Sequence, residues 1–201
     1  MATPKLKFLI LSWDNIFSDT IELARKIKRN NFKPDVLVAV LRGGAPIARI
    51  LSDILDVKLI ATVQAEFYAD IATTSRKVRI IQPLSDKVKI EKKNVLIVDD
   101  VADTGETLVE IVKHVKEQNP KDVKVACLHI KPWTKFIPDF YVKKTNAWIV
   151  YPWEYFETIR SLKEKLKRSD IDNETRVTIE RTIRMLKELL KNIHGNYEEL
   201  L

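Results

Sequence analysis

Apolar positions fall in short unbroken runs, separated by longer stretches in which they recur three and four residues apart. Val36-Leu37-Val38-Ala39-Val40 and Val95-Leu96-Ile97-Val98 contain no polar residue. Runs of that length without alternation predict strands buried on both faces, the condition of a parallel sheet. Further strands are predicted at about 7–12, 58–65, 124–130 and 147–150. Helices are predicted over 18–28, 46–55 and about 108–118, the second with proline in its first turn. The stretch 66–93 is polar and mixed, with an extended piece at 87–90. Strands alternating with helices imply an α/β fold, a parallel twisted sheet flanked by helices. Such sheets bind ligands at the carboxyl ends of their strands.

Beyond residue 154 the pattern changes. Ile179, Ile183, Leu186, Leu190 and Ile193 repeat at helical spacing, with Asp172 or Asn173 as a start signal and Gly195 as a stop. This divides the chain into a core over 1–154, including a small hood, and a helical C-terminal extension over 155–201. The apolar stripe is expected to pack against the body or another subunit, because left bare it would promote aggregation.

The chain has only four glycines, and three stand in two strand-to-helix loops: Gly43 and Gly44 after the 36–40 run, Gly105 after the 95–98 run. Glycine there permits positive φ and close backbone approach to a ligand. The second loop is Asp99-Asp100-Val101-Ala102-Asp103-Thr104-Gly105-Glu106-Thr107. A strand, a loop and a helix N-terminus form an anion site, since unpaired N–H groups and the helix dipole face the ligand. Two carboxylates beside it would repel a bare phosphate but suit sugar hydroxyls and hydrated Mg²⁺. The segment therefore asks for a ligand that is a sugar, a phosphate and a metal complex together.

An apolar run, two acids and Asp-Thr-Gly-x-Thr resemble the phosphoribosyl pyrophosphate (PRPP) motif of type I phosphoribosyltransferases. Ser12-Trp13-Asp14, Arg42-Gly43-Gly44, Lys131-Pro132, Trp148-Ile149 and Pro152-Trp153-Glu154 are similar in order and spacing to the bacterial xanthine-guanine enzymes, so the resemblance covers about residues 6–154. It implies the type I phosphoribosyltransferase fold and transfer from PRPP to a 6-oxopurine base, giving a nucleoside monophosphate and pyrophosphate. Adenine or pyrimidine specificity, or a PRPP-binding regulator, are the alternatives. In the resemblance Asp99 and Asp100 hold the ribose hydroxyls, directly or through a Mg²⁺ cofactor that they bind themselves or through water. Asp103 is the catalytic proton acceptor, and Asp103, Thr104, Gly105, Glu106 and Thr107 surround the 5′-phosphate. Glu106 fits there only if its carboxylate points away. Leu41, Arg42 and Gly43 take pyrophosphate, with a non-proline cis peptide at Leu41–Arg42. Lys131 donates to the purine O6, Trp148 stacks on the ring, Ile149 offers backbone groups and Glu154 reads the 2-position. Tyr68 and Thr73-Thr74-Ser75-Arg76 could close over PRPP.

Composition narrows the setting. Hydrophobic residues are 45% of 201, enough for a core, and no run of 18 apolar residues exists, so no membrane span is expected. The net charge is +7, but basic residues alternate with acids, as at Lys163-Glu164-Lys165, so the charge reads as an ion-paired surface and nucleic acid is not expected. A single cysteine, Cys127, in an apolar run, and an N-terminus without a signal-peptide pattern point to the cytoplasm. A homo-oligomer, dimer or tetramer, is expected.

Overall fold

The computed structural model describes residues 6–69, 76–195 and 198–200. Among the described residues are eight strands and five α-helices. Residues 14–145 form one compact unit; residues 1–13 and 146–201 form the other. The compositional change at 154/155 thus falls inside the second unit.

The first unit holds a six-stranded sheet. Its strands are β2 (Val36–Leu41), β3 (Ile60–Ala69), β4 (Arg76–Gln82), β5 (Asn94–Ala102), β6 (Asp122–Ile130) and β7 (Phe140–Lys144), in the order β4-β3-β2-β5-β6-β7. Strands β3, β2, β5, β6 and β7 are parallel, whereas β4 pairs antiparallel with β3. The expected parallel sheet is thus present, and one antiparallel edge strand makes it mixed. The two apolar runs are its centre: Val36 to Val40 and Val95 to Val98 are all buried. Alternate residues serve opposite faces. Val36, Val38, Val40, Val95 and Ile97 pack with Leu108, Ile111 and Val115 of helix α3 (Glu106–Lys116). Helix α2 (Gly44–Leu55) lies against β2 and β5 and buries Ile47, Ala48 and Leu51. Helix α1 (Trp13–Arg29) buries Ile16, Leu23 and Ile27.

Both strands that the pattern did not predict, β4 and β7, are sheet edges. Edge strands have one neighbour and carry charge, as in Arg-Lys-Val-Arg-Ile-Ile-Gln, so no apolar run marks them. The piece at 87–90, predicted extended, forms no strand and begins inside a turn over 85–88 closed by Val88 N–H to Ser85 O at 2.9 Å. Cys127 is buried in β6, as expected.

The second unit joins β1 (Phe8–Ile10) in parallel to β8 (Trp148–Val150) and adds helices α4 (Tyr155–Leu166) and α5 (Asn173–His194). Asp172 caps α5, its Oδ1 accepting from Thr175 N at 2.8 Å. Gly195 ends the helix at φ 67°. Leu186 and Leu190 pack with Val150, Tyr155 and Ile159, and with Phe8 and Ile10 beside them. Ile179 is also buried and Ile183 half-buried, but Ile193 is 59% exposed, so the stripe stops short of the last turn. The tail is thus part of this unit's own core. Leu186→Ala should destabilise the protein by about 2–5 kcal/mol, because the cavity relaxes only partly; denaturant unfolding measures it, and a change under 1 kcal/mol would contradict that packing.

No described helix is long and apolar enough to cross a membrane.

Candidate active site

The loops that follow β2 and β5 meet at the carboxyl ends of adjacent parallel strands. Together they line a cleft of about 260 Å³. Leu41, Arg42, Gly43, Asp99, Asp100, Asp103, Thr104, Gly105 and Thr107 all contribute to it, so the residues expected at ribose, pyrophosphate and 5′-phosphate are assembled in one place. Glu106 lies outside this lining, on the neighbouring surface.

Asp99 and Asp100 stand next to one another near the end of β5. Asp99 is buried, and its Oδ1 accepts from Asp100 N at 2.9 Å. Burial first, and then the Asp100 carboxylate, push its pKa well above the usual carboxylate range. Asp100 lies beneath the first loop. A Cβ on Gly43 would collide with its carboxylate, and one on Gly44 would collide with Val98 O. Gly43 has φ −66°, an ordinary helical value. Close approach, rather than positive φ, is what this loop needs glycine for. The Leu41–Arg42 peptide is cis, as the resemblance implied.

Gly105 differs. It opens α3 at φ 86°, and a Cβ there would come within 2.6 Å of Phe136 Cβ. Both conformation and space demand glycine. The Glu106 carboxylate is 3.9 Å from Lys135 Nζ, an exposed pair that turns the acid toward a cation. The backbone that follows β6 is tied to the same loop: Lys131 N donates to Ala102 O at 3.0 Å and Lys135 N to Thr104 O at 3.0 Å.

Lys131 is buried, and burial pushes its ammonium below the usual lysine range, with the Asp103 carboxylate opposing that shift. Its Nζ lies 5.7 Å from the centroid of the Trp133 ring. Trp133 Nε1 donates to Asp103 Oδ1 at 2.7 Å. Trp133 was not foreseen; its only sequence signal is a large aromatic beside Lys131-Pro132 at a strand end. A second unforeseen group lies on β6 itself. Buried His129 has Nε2 4.0 Å from Asp19 Oδ2, and Lys143 donates to both Asp19 oxygens at 2.7 and 2.8 Å. Burial pushes His129 down to about 4, so it is neutral at pH 7 despite that carboxylate.

Trp148, Ile149 and Glu154 belong to the other unit. There Trp148 is 60% exposed, Ile149 is buried in β8, and Glu154 Oε1 accepts from Tyr151 N at 3.2 Å. Tyr68 is exposed on β3, Arg76 begins β4, and Thr73, Thr74 and Ser75 lie outside the described residues.

A phosphate cradle beside paired acids, at the carboxyl end of a mainly parallel sheet, is the construction of an α/β enzyme for a phosphorylated sugar. The phosphoribosyl transferase domain family matches residues 10–158, so the chain belongs to that family and is a phosphoribosyltransferase of the type I fold. It is 30% identical over 155 residues to the xanthine-guanine phosphoribosyltransferase of Gluconobacter oxydans, covering 76% of this chain and 88% of that one. A purine phosphoribosyltransferase from Pyrococcus horikoshii is similar in structure, with TM-score 0.65, 39% identity, and 73% and 93% of the two chains covered. A hypothetical protein from Neisseria gonorrhoeae with bound ppGpp is similar at TM-score 0.67 and 26% identity, covering 88% and 98%.

Proposed function

We propose that the protein transfers the phosphoribosyl group of PRPP to a 6-oxopurine base, releasing pyrophosphate and forming a nucleoside monophosphate. The observation that carries this reading is Lys131, buried just after β6 and tied by its backbone N–H to Ala102 O, next to Asp103 in the loop after β5. A lysine ammonium only donates hydrogen bonds, so it suits the O6 of guanine, hypoxanthine or xanthine. The relatives that carry purine or xanthine-guanine in their names support the same class.

Each residue then has a physical task. The α3 N-terminus with Thr104, Gly105, Glu106 and Thr107 offers N–H and hydroxyl donors to the 5′-phosphate. Arg42 and the Leu41–Gly43 backbone take pyrophosphate. Asp103 accepts the proton of the attacking ring nitrogen's tautomer.

The donor set fits a metal that arrives with substrate. No group of three or more acidic, histidine or cysteine side chains able to hold a metal exists among the described residues. Two adjacent carboxylates at the cleft suit a hydrated Mg²⁺ whose other ligands are substrate oxygens. Asp99 and Asp100 would hold it, and it would supply charge neutralisation of the departing pyrophosphate. The rest of the barrier is lowered by orientation and fixed donors, since little covalent work falls to the protein.

The test is a nucleobase panel with PRPP and Mg²⁺, following pyrophosphate release. Guanine, hypoxanthine or xanthine should exceed adenine and uracil by roughly tenfold or more in kcat/KM. Adenine or uracil as best substrate would overturn the 6-oxopurine reading. PRPP binding without turnover on any base would make the protein a regulator.

A further inference from the structure

We infer that Trp133 is a positioning residue for Asp103: its indole N–H holds one carboxylate oxygen so that the other is aimed at the purine. The inference rests on the proposed role of Asp103 and adds a residue that role does not include.

The geometry is local and over-determined. Trp133 stands in a turn closed by Thr134 N–H to Lys131 O at 3.1 Å. Both ends of that turn are bound to the phosphate loop, through Lys131 N to Ala102 O and Lys135 N to Thr104 O. Asp103 lies between those two loop carbonyls in sequence. The indole therefore reaches Asp103 from a backbone that cannot drift away from it. The bond is 2.7 Å, side chain to side chain, with a carboxylate as acceptor, which is the stronger kind of neutral-donor bond. An indole N–H donates only, and it does not titrate. It can orient Asp103 without competing for the proton that the carboxylate must accept. It engages Oδ1, which leaves Oδ2 to accept from the base.

The same ring takes part in a second contact. Lys131 Nζ sits 5.7 Å from its centroid, within cation–π range. One indole thus spaces the base's proton acceptor from its O6 donor. A free carboxylate beside a buried ammonium would otherwise tend to collapse onto it as an ion pair, and the purine would have to break that pair to enter. Trp133 is 54% exposed, so its side chain is not required for core packing.

Trp133→Phe keeps the ring and removes the donor. It should lower kcat about tenfold, the size expected for loss of one hydrogen bond to a charged group, with the KM for PRPP unchanged. The decisive measurement is a double-mutant cycle with Asp103→Asn. If Trp133 acts through Asp103, Trp133→Phe causes little further loss in the Asp103→Asn background. A full tenfold loss in both backgrounds would show that Trp133 acts elsewhere and would overturn the inference. Unchanged kcat in Trp133→Phe, with Asp103→Asn impaired, would overturn the inference and leave the Asp103 role standing. Unchanged kcat in Asp103→Asn would overturn that role and the inference with it. Circular dichroism and thermal melts of each variant establish that the fold is retained.

Discussion

Replacing Asp99 and Asp100 together with asparagine is expected to lower kcat/KM for PRPP by on the order of a thousandfold, comparable to removing a preorganised electrostatic group from an active site. The shapes survive the change, and the amide oxygen at 99 can still accept from the N–H of residue 100. What disappears is charge beside the phosphate cradle. In the proposed reading the cation that accompanies pyrophosphate then loses its protein carboxylates, and the ribose hydroxyls lose strong acceptors. Stability should move the other way. Burial raises the Asp99 pKa above its unfolded value, so its ionised form opposes folding at neutral pH. That opposition is absent below the unfolded pKa, grows as pH rises above it, and is complete once pH exceeds the folded pKa. Asparagine removes it, so the double variant should melt at or above the wild-type temperature at pH 7. A variant that is stable but inactive is therefore the expected pair of readings. Full activity in the variant, or wild-type activity in excess chelator, would sink the assignment.

Lys131→Ala should cut kcat/KM for 6-oxopurines by roughly ten- to a few-hundredfold and narrow the gap to adenine. In the proposed reading the ammonium donates to O6, whereas the 6-amino group of adenine presents donors of its own. Removing Lys131 thus costs the preferred bases more than it costs adenine. The KM for PRPP should change little, because the Lys131 ammonium lies over the Trp133 ring and Lys131 is not among the residues that line the cleft. Steady-state kinetics with guanine, hypoxanthine and adenine in both proteins decide the matter. Unaltered base ratios would mean that Lys131 does not read the base.

Much of this site is legible in the sequence alone. The two apolar runs ending in Gly43-Gly44 and Asp99-Asp100 could only be central strands, and their loops could only lie at carboxyl ends. Gly105 was predicted to need special backbone geometry, and at φ 86° it does. Gly43 shows the limit of that reasoning. Its φ is ordinary, and what forbids a side chain is the Asp100 carboxylate, more than fifty positions away in sequence. Glu106, awkward in the motif, finds Lys135 as its partner only because the chain folds back after β6.

The strand pattern, the loop chemistry and the capped C-terminal helix follow from the sequence alone, because they rest on local periodicity, backbone preference and the valence of donors and acceptors over a few residues. The antiparallel edge β4, the short edge β7, the exposure of Ile193 and the bond from Trp133 to Asp103 were decided by tertiary structure. Edge strands have no apolar signature, and the last turn of a helix is buried only if a neighbour extends that far. A hydrogen bond between residues thirty positions apart exists only because parallel strands β5 and β6 end side by side, which no local pattern encodes.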